Sequence, residues 1–277
     1  MNAGPCLALD GDAEMTPTIF RHADRAQPKF RPFKAMGHFR KLIADKEDTE
    51  QVFHIFDCLP RKGFLPEAKA FIDSPLGQRL METEPFLPTI LDDHDALKRL
   101  PAGTVGRTYV EFMEREGLSA AGLVAESAKM RRGAPRYGDQ IEWYVDRLRD
   151  THDLLHILTG YGRDVLGEQC VLGFTYGQNR NLGNFFIAYL GGIELSRRIK
   201  ADAPVMAAIR EGQRNGTVAA NLVNQSITSL LAEPLEAARK RMNIGSPTQY
   251  HRAHRAYRAR NIDPYNFLAV TAYTNGL

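Results

Sequence analysis

The chain has 277 residues, of which 43% are hydrophobic and 25% charged, and its formal net charge is +3. That length supports a substantial core, the composition is ordinary for a folded protein, and the charge is too small for the clustered basic patch of a nucleic-acid binder. Three cysteines, Cys6, Cys58 and Cys170, give an odd count with no Cys-x-x-Cys spacing, which favours a reducing compartment over a disulfide scaffold.

No stretch approaches the roughly 18 consecutive apolar residues of a membrane span. The N-terminus lacks the apolar core of a secretory signal, and Asp10, Asp12 and Glu14 argue against an organellar transit peptide, so a cytoplasmic location is expected. Residues 1–31, mixed in charge and weakly periodic, are predicted to form a loose arm. From Pro32 the pattern is helical: Phe33, Met36, Phe39 and Ile43 recur at helical intervals, and Val52, Phe53, Phe56 and Leu59 form a second segment stopped by Pro60. Short helices follow over Glu67 to Ile72 and Pro75 to Glu84, the second capped by Ser74. Asp92-Asp93-His94-Asp95 reads as a solvated helix start, because consecutive carboxylates on a helix diverge. A glycine-rich turn then leads into a helix ending near Glu116, and Lys129-Met130-Arg131-Arg132-Gly133 reads as a basic loop ahead of Pro135.

The stretch His152 to Glu168 carries the chemistry. A helix is expected from Asp139, whose capping box is completed by Glu142, to a stop at Gly160. On it His152, Asp153 and His156 fall within a wedge of about 100°. Glu168 would lie about 18 Å away along an unbroken helix. Gly160 and Gly162 permit a reversal, however, and Asp164 can cap a returning helix that brings Glu168 back to the histidines. Two imidazoles and two carboxylates suit Zn²⁺ or Fe²⁺. Arg149, one turn before Asp153, is placed to orient that carboxylate.

Beyond Glu168, the glycine- and aromatic-rich Gly173 to Gly192 reads as deep core or as the wall of an apolar cavity. Helices over Pro204 to Arg214, Val218 to Leu231 and Pro234 to Met242 follow, the first two joined through Asn215-Gly216. No strand alternation persists, so the fold is predicted to be all-α: one multi-helix domain over 32–244 around a central metal-binding helix pair. An extension over 245–277 carries a helix with Arg252, Arg255 and Arg258 in a basic stripe, suited to a subunit contact or a peripheral membrane surface.

The pattern His-Asp-x-x-His-x11-Glu, preceded by Arg147-x-Arg149-Asp150, closely resembles the coenzyme Q biosynthesis protein 4 family. Leu100-Pro101-Ala102-Gly103-Thr104-Val105-Gly106-Arg107-Thr108-Tyr109 and Ser74-Pro75-Leu76-Gly77-Gln78-Arg79-Leu80 are similar to two upstream landmarks of that family, and Asn215-Gly216, Pro234-Leu235 and Asn243-Ile244 to its closing helices. The likeness runs collinearly over roughly residues 34 to 244. Two departures stand out: Leu172-Gly173-Phe174-Thr175 replaces Lys-Trp-Phe-Glu, and Leu231-Ala232-Glu233 replaces Trp-Glu-Gln. The resemblance implies a polyprenylated quinone precursor derived from 4-hydroxybenzoate as substrate, with loss of the carboxylate and entry of oxygen at ring C1. It also implies an isoprenoid lipid against Gly173 to Gly192 and other ubiquinone biosynthesis proteins as partners. The basic stripe adds the expectation of a peripheral place on the cytoplasmic face of the inner membrane. A homo-oligomer is expected. One rival is a non-catalytic, lipid-binding organiser with a closed structural metal. The other is a metal-dependent hydrolase, which the absence of a Glu directly after His152 disfavours.

Overall fold

A computed structural model of the chain describes residues 19–45, 48, 50–131 and 135–266. The helices among them are α1 (Pro32–Ala44), α2 (Glu50–Cys58), α3 (Phe64–Ile72), α4 (Pro75–Thr83), α5 (Leu87–Leu91), α6 (His94–Lys98), α7 (Val105–Glu116) and α8 (Ala120–Arg131) in the first half of the chain. The second half carries α9 (Gln140–Asp150), α10 (His152–Thr159), α11 (Val165–Asn179), α12 (Leu182–Arg198), α13 (Val205–Val218), α14 (Ile227–Ala232), α15 (Leu235–Arg241) and α16 (Thr248–Ala259). The described residues contain no strand, only an isolated bridge between Thr104 and Pro234, and the fold is all-α as the periodicity predicts. None of these helices is long and apolar enough to cross a membrane.

Capping chemistry places most of the starts. Ser74 accepts from the Gly77 N–H at 3.0 Å, Thr104 from Arg107 at 3.3 Å, and Asp93 from Ala96 at 2.9 Å. Asp92 works at a distance, its two oxygens taking the N–H groups of Ala120 and Ala121 at 2.7 and 2.8 Å, so the acidic cluster caps both α6 and α8.

Three side-chain clusters form the interior. The largest joins α7, α10, α11, α13 and α16 through Tyr109, Leu154, Phe174, Ile209 and Tyr257. Another packs α3 and α4 on α9 around Ile72, Leu80 and Trp143, and a third packs α1, α2 and α12 through Phe39, Ile55 and Ile187.

Several boundaries differ from expectation. The arm expected over 1–31 lies outside the described residues up to 18, but from Ile19 it is pinned to the start of α9. The Ile19 and Phe20 carbonyls accept from the Gln140 and Ile141 N–H groups, and Arg25 grips Asp139 through two bonds of 2.8 and 2.6 Å. Tertiary contact thereby satisfies two helix-terminal donors that no local side chain reaches. Lys129 belongs to α8, and of the basic loop residues 132–134 lie outside the described residues. Asn215-Gly216 lies inside α13, where the absence of a Cβ at Gly216 lets that helix touch the Phe174 carbonyl of α11. Gly173 to Gly192 is two helices, divided where Arg180 takes a left-handed φ of 54° and Asn181 caps α12. The stretch beyond 244 does not stand apart: Tyr250, Ala253 and Tyr257 of α16 are buried in the main cluster, while Arg252, Arg255 and Arg258 face solvent.

Candidate metal centre

The expected single helix from Asp139 to Gly160 is divided at Thr151. The Thr151 hydroxyl donates to the Arg147 carbonyl at 2.9 Å, a back-bond to residue i−4 of the kind that disturbs helices, and α10 begins anew at His152. Asp139 caps α9 by accepting from the Glu142 N–H at 2.8 Å. The reciprocal half of the box is displaced: the Glu142 carboxylate accepts from Tyr137 and Gly138 instead of from Asp139. α10 ends as expected at Gly160, with φ 75°.

Residues 160–164 then reverse the chain. Asp164 caps α11 by accepting from Leu166 and Gly167, both at 3.2 Å. Gly167 packs so closely on the loop that a Cβ there would overlap the Gly162 carbonyl oxygen. The contact seats the first turn of α11 against the reversal, and Glu168 is the next residue. Its two oxygens lie 3.5 Å from His152 Nε2 and 3.4 Å from His156 Nε2. One ligating atom from each of His152, His156 and Glu168 falls within 4.8 Å of the other two, the only such group among the described residues.

Donors about 2.0–2.1 Å from a tetrahedral ion stand about 3.4 Å from one another, close to the two separations between imidazole and carboxylate here. The protonation pattern fits as well. His156 Nδ1 donates to the Tyr161 carbonyl at 3.0 Å, which leaves the Nε2 lone pair aimed toward the cluster. Buried with 1% of its side chain exposed, Nε2 has no hydrogen-bond partner. Burial pushes the Glu168 carboxyl up, but the two histidines outweigh it and hold the group well below the usual carboxylate range. Burial would lower His156, and the Glu168 charge overrides it, so the imidazole is raised. A ring nitrogen facing an ionised carboxylate needs a cation between them, either a proton or a metal ion. His152 and Glu168 keep 30% and 31% of their side chains exposed, so the site has an open side.

Asp153 and Arg149 behave differently from expectation. Asp153 lies outside the converging group. A helix advances about 100° per residue, which sets it on the flank of His156 opposite His152. Its charge still acts on His156 and on buried Tyr109. Arg149 binds Asp150 at 2.7 Å and Asp146 at 2.8 Å rather than Asp153, because the break at Thr151 removes the i, i+4 relation across it.

Three contributors to the site carried no sequence signal. The Tyr161 carbonyl is backbone, Phe112 stacks on His156 from α7 with ring centroids 5.7 Å apart, and α16 reaches the reversal from far along the chain. Tyr250 accepts from the Gly162 N–H at 3.0 Å and donates to Asp164, and His254 Nε2 lies 3.1 Å from the other Asp164 oxygen. A groove of about 520 Å³ opens beside His156, lined among others by Phe112, Ile157, Tyr161, Tyr250 and Arg258.

The family model of the coenzyme Q (ubiquinone) biosynthesis protein Coq4 matches residues 67–248. The chain belongs to the Coq4 family. Among Coq4 relatives, the mitochondrial ubiquinone biosynthesis protein COQ4 of Yarrowia lipolytica is 32% identical over 107 residues, 38% of this chain and 37% of that one. Its counterpart in Candida tropicalis is 24% identical over 199 residues, 69% of this chain and 57% of that one. The chain thus spans between about a third and three fifths of the length of these Coq4 relatives. A crystal structure from Nostoc punctiforme PCC 73102, described as a ubiquinone biosynthesis protein, superposes on 78% of this chain and all of its own with a TM-score of 0.59 and 21% identity, and shows the same fold. The Coq4 match begins after α1 and α2 and stops at the first residue of α16.

Proposed function

We propose that the chain acts in ubiquinone biosynthesis as a metal-dependent enzyme at ring C1 of a polyprenylated 4-hydroxybenzoate-derived precursor, with His152, His156 and Glu168 holding a divalent cation. The observation that carries this reading is the convergence of the three donors across the glycine reversal. Two histidines and one carboxylate with an open side are the donor set of catalytic Zn²⁺ sites and of non-haem Fe²⁺ oxygenases. When bound, such an ion supplies Lewis-acid stabilisation of charge on a phenolate or carboxylate, and Fe²⁺ also supplies one-electron chemistry toward dioxygen.

The chain's own residues do the rest. His156, held at Nδ1 by the Tyr161 carbonyl, has Nε2 left to offer a cation once its proton is displaced, and Glu168 stays ionised between the two histidines. Asp153 adds negative charge beside His156. In the adjoining groove Phe112 and Ile157 offer apolar surface to an aromatic ring, and Arg115 and Arg258 bring positive charge toward a ring carboxylate. Oxidative replacement of that carboxylate converts Ar–CO₂H, O₂ and two reducing equivalents into Ar–OH, CO₂ and water, so dioxygen and a two-electron donor are required. The organiser reading calls for a closed metal sphere, and the partial exposure of His152 and Glu168 weighs against it.

Purified protein is expected to contain a stoichiometric divalent metal that His156→Ala loses. In cells lacking the C1 step, wild type restores quinone synthesis and Glu168→Ala does not. Undiminished metal in His156→Ala removes the site, and rescue by Glu168→Ala leaves an organising role.

A further inference from the structure

The largest exposed apolar groups in the described chain lie far from the metal centre in sequence, at the start of α1. Phe33 is 94% exposed and Phe30 is 61% exposed. Around them Lys29, Arg31, Lys34, Arg40 and Lys41 are all exposed, and none of the five makes an ion pair among the described residues. No acidic residue occurs between Arg25 and Ala44.

The helix explains how these groups come to share one side. At about 100° per residue, Phe33, Gly37, Arg40, Lys41 and Lys34 occupy an arc of about 120°. Ala35 and Phe39 point the other way, into the cluster with Ile55 and Ile187. Gly37 stands in the middle of the outer arc with nothing within 4 Å of where a Cβ would be, so the face is open at its centre with cations at both ends. Burial of the inner face is therefore complete without the outer one, and folding does not account for two phenylalanines in water. Pro32 at the first helical turn and the Arg31 N–H bond to the Cys58 carbonyl at 2.8 Å fix the approach of Phe30 to the helix.

We infer that the outer face of α1, with Phe30 and Phe33 inserted and Lys29, Arg31, Lys34, Arg40 and Lys41 at the headgroups, is a docking surface for an anionic lipid bilayer. Aromatic rings inserting at the headgroup boundary and long cationic side chains reaching phosphate are the two terms that hold a helix in the plane of a membrane. A protein partner with an acidic face would match the charges, but two rings projecting among the cations are the pattern that insertion at a headgroup boundary calls for. The basic stripe of α16 differs in this respect: Arg252, Arg255 and Arg258 are exposed while Tyr250 and Tyr257 on the same helix are buried. The site lies ahead of the matched family segment and is independent of any metal, so it stands or falls apart from the proposed reaction.

Co-sedimentation of the full chain with vesicles tests it, comparing phosphatidylcholine alone with a phosphatidylcholine and phosphatidylglycerol mixture. Wild type is expected to bind the anionic vesicles more tightly than the neutral ones and to be released by salt. Arg40→Glu/Lys41→Glu should weaken binding by at least about 25-fold, each lost cation being worth about fivefold. Phe30→Ser/Phe33→Ser should weaken binding to both vesicle types and leave the circular dichroism spectrum unchanged. Phe33→Trp should shift to the blue and be quenched by brominated lipid, while Trp143, 6% exposed, is not quenched. The proposal is overturned if wild type binds neither vesicle, if the phenylalanine pair can be replaced without loss, or if Arg252→Glu/Arg255→Glu/Arg258→Glu abolishes binding while the α1 variants retain it.

Discussion

Tyr250 shows how a residue can matter to a site that it does not touch. Its hydroxyl ties the Gly162 N–H to Asp164, and with His254 it braces the reversal whose Tyr161 carbonyl holds His156 Nδ1. Tyr250→Phe is expected to keep the fold and weaken divalent-metal affinity about tenfold, at the low end for a partner outside the ligand set, as read by competition with a chromogenic chelator. Undiminished affinity would show that the loop holds without the brace. Glu84 and Arg147 form another buried device, 2.8 Å apart and each 1% exposed. Arg147 also donates to the Val223 carbonyl, and Glu84 accepts from Ile227, Thr228 and Ser226, so the pair ties α4, α9 and α14 together. Burial pushes the Glu84 carboxyl up, but Arg147 and those donors bring it below its ordinary value. The stability it contributes is therefore present above the unfolded carboxylate pKa of about 4.3 and is lost as pH falls through the lower folded value. Glu84→Gln leaves buried Arg147 without its ion-pair partner. Urea titration at neutral pH should show a loss of about 3–5 kcal/mol, and the variant's stability should fall less steeply below about pH 4 than that of wild type.

Among the elements, α11 and α13 make the closest pairing. Gly173 and Gly177 on one face Ile209 and Gln213 on the other, and Gly212 and Gly216 face the Cys170 and Phe174 carbonyls in return. Small residues four apart on both helices let the backbones touch, so these glycines are spent on packing. Because α11 also carries Glu168, the pairing sets where the carboxylate arrives. Gly216→Ala places a methyl against the Phe174 carbonyl, and overpacking of this kind costs about 1–3 kcal/mol. A thermal melt should show the lower stability, and an unchanged midpoint would mean that the two helices can part without cost.

Over the whole molecule, the site depends on segments far apart in the chain. α16 lies almost wholly beyond the matched family segment, yet Tyr250, Ala253 and Tyr257 are exposed by only 3%, 0% and 0%. Deleting residues from Ser246 onward uncovers the α11–α13 face and removes both braces of Asp164. The truncated chain is expected to lose cooperative unfolding and to expose apolar surface to a hydrophobic dye, whereas a separate appendage would leave the melt intact.

The all-helical architecture, the caps at Ser74, Asp139 and Asp164 and the stop at Gly160 were legible in the sequence because each rests on a residue and its neighbours within one turn. The meeting of His152, His156 and Glu168 was legible for a related reason: their spacing and the intervening glycines are local, and one reversal suffices to bring them together. Only the tertiary structure decided that Asp153 stands outside the cluster, that Arg149 serves Asp146 and Asp150, and that α16 braces the site. The first turns on which side of His156 the returning Glu168 arrives, the second on the division of α9 from α10 at Thr151, and the third on packing between α16 and the reversal. The packing of α16 is set by contacts with segments far away in the chain, which no window of sequence contains, and the break at Thr151 is one that a back-bonding threonine permits without requiring.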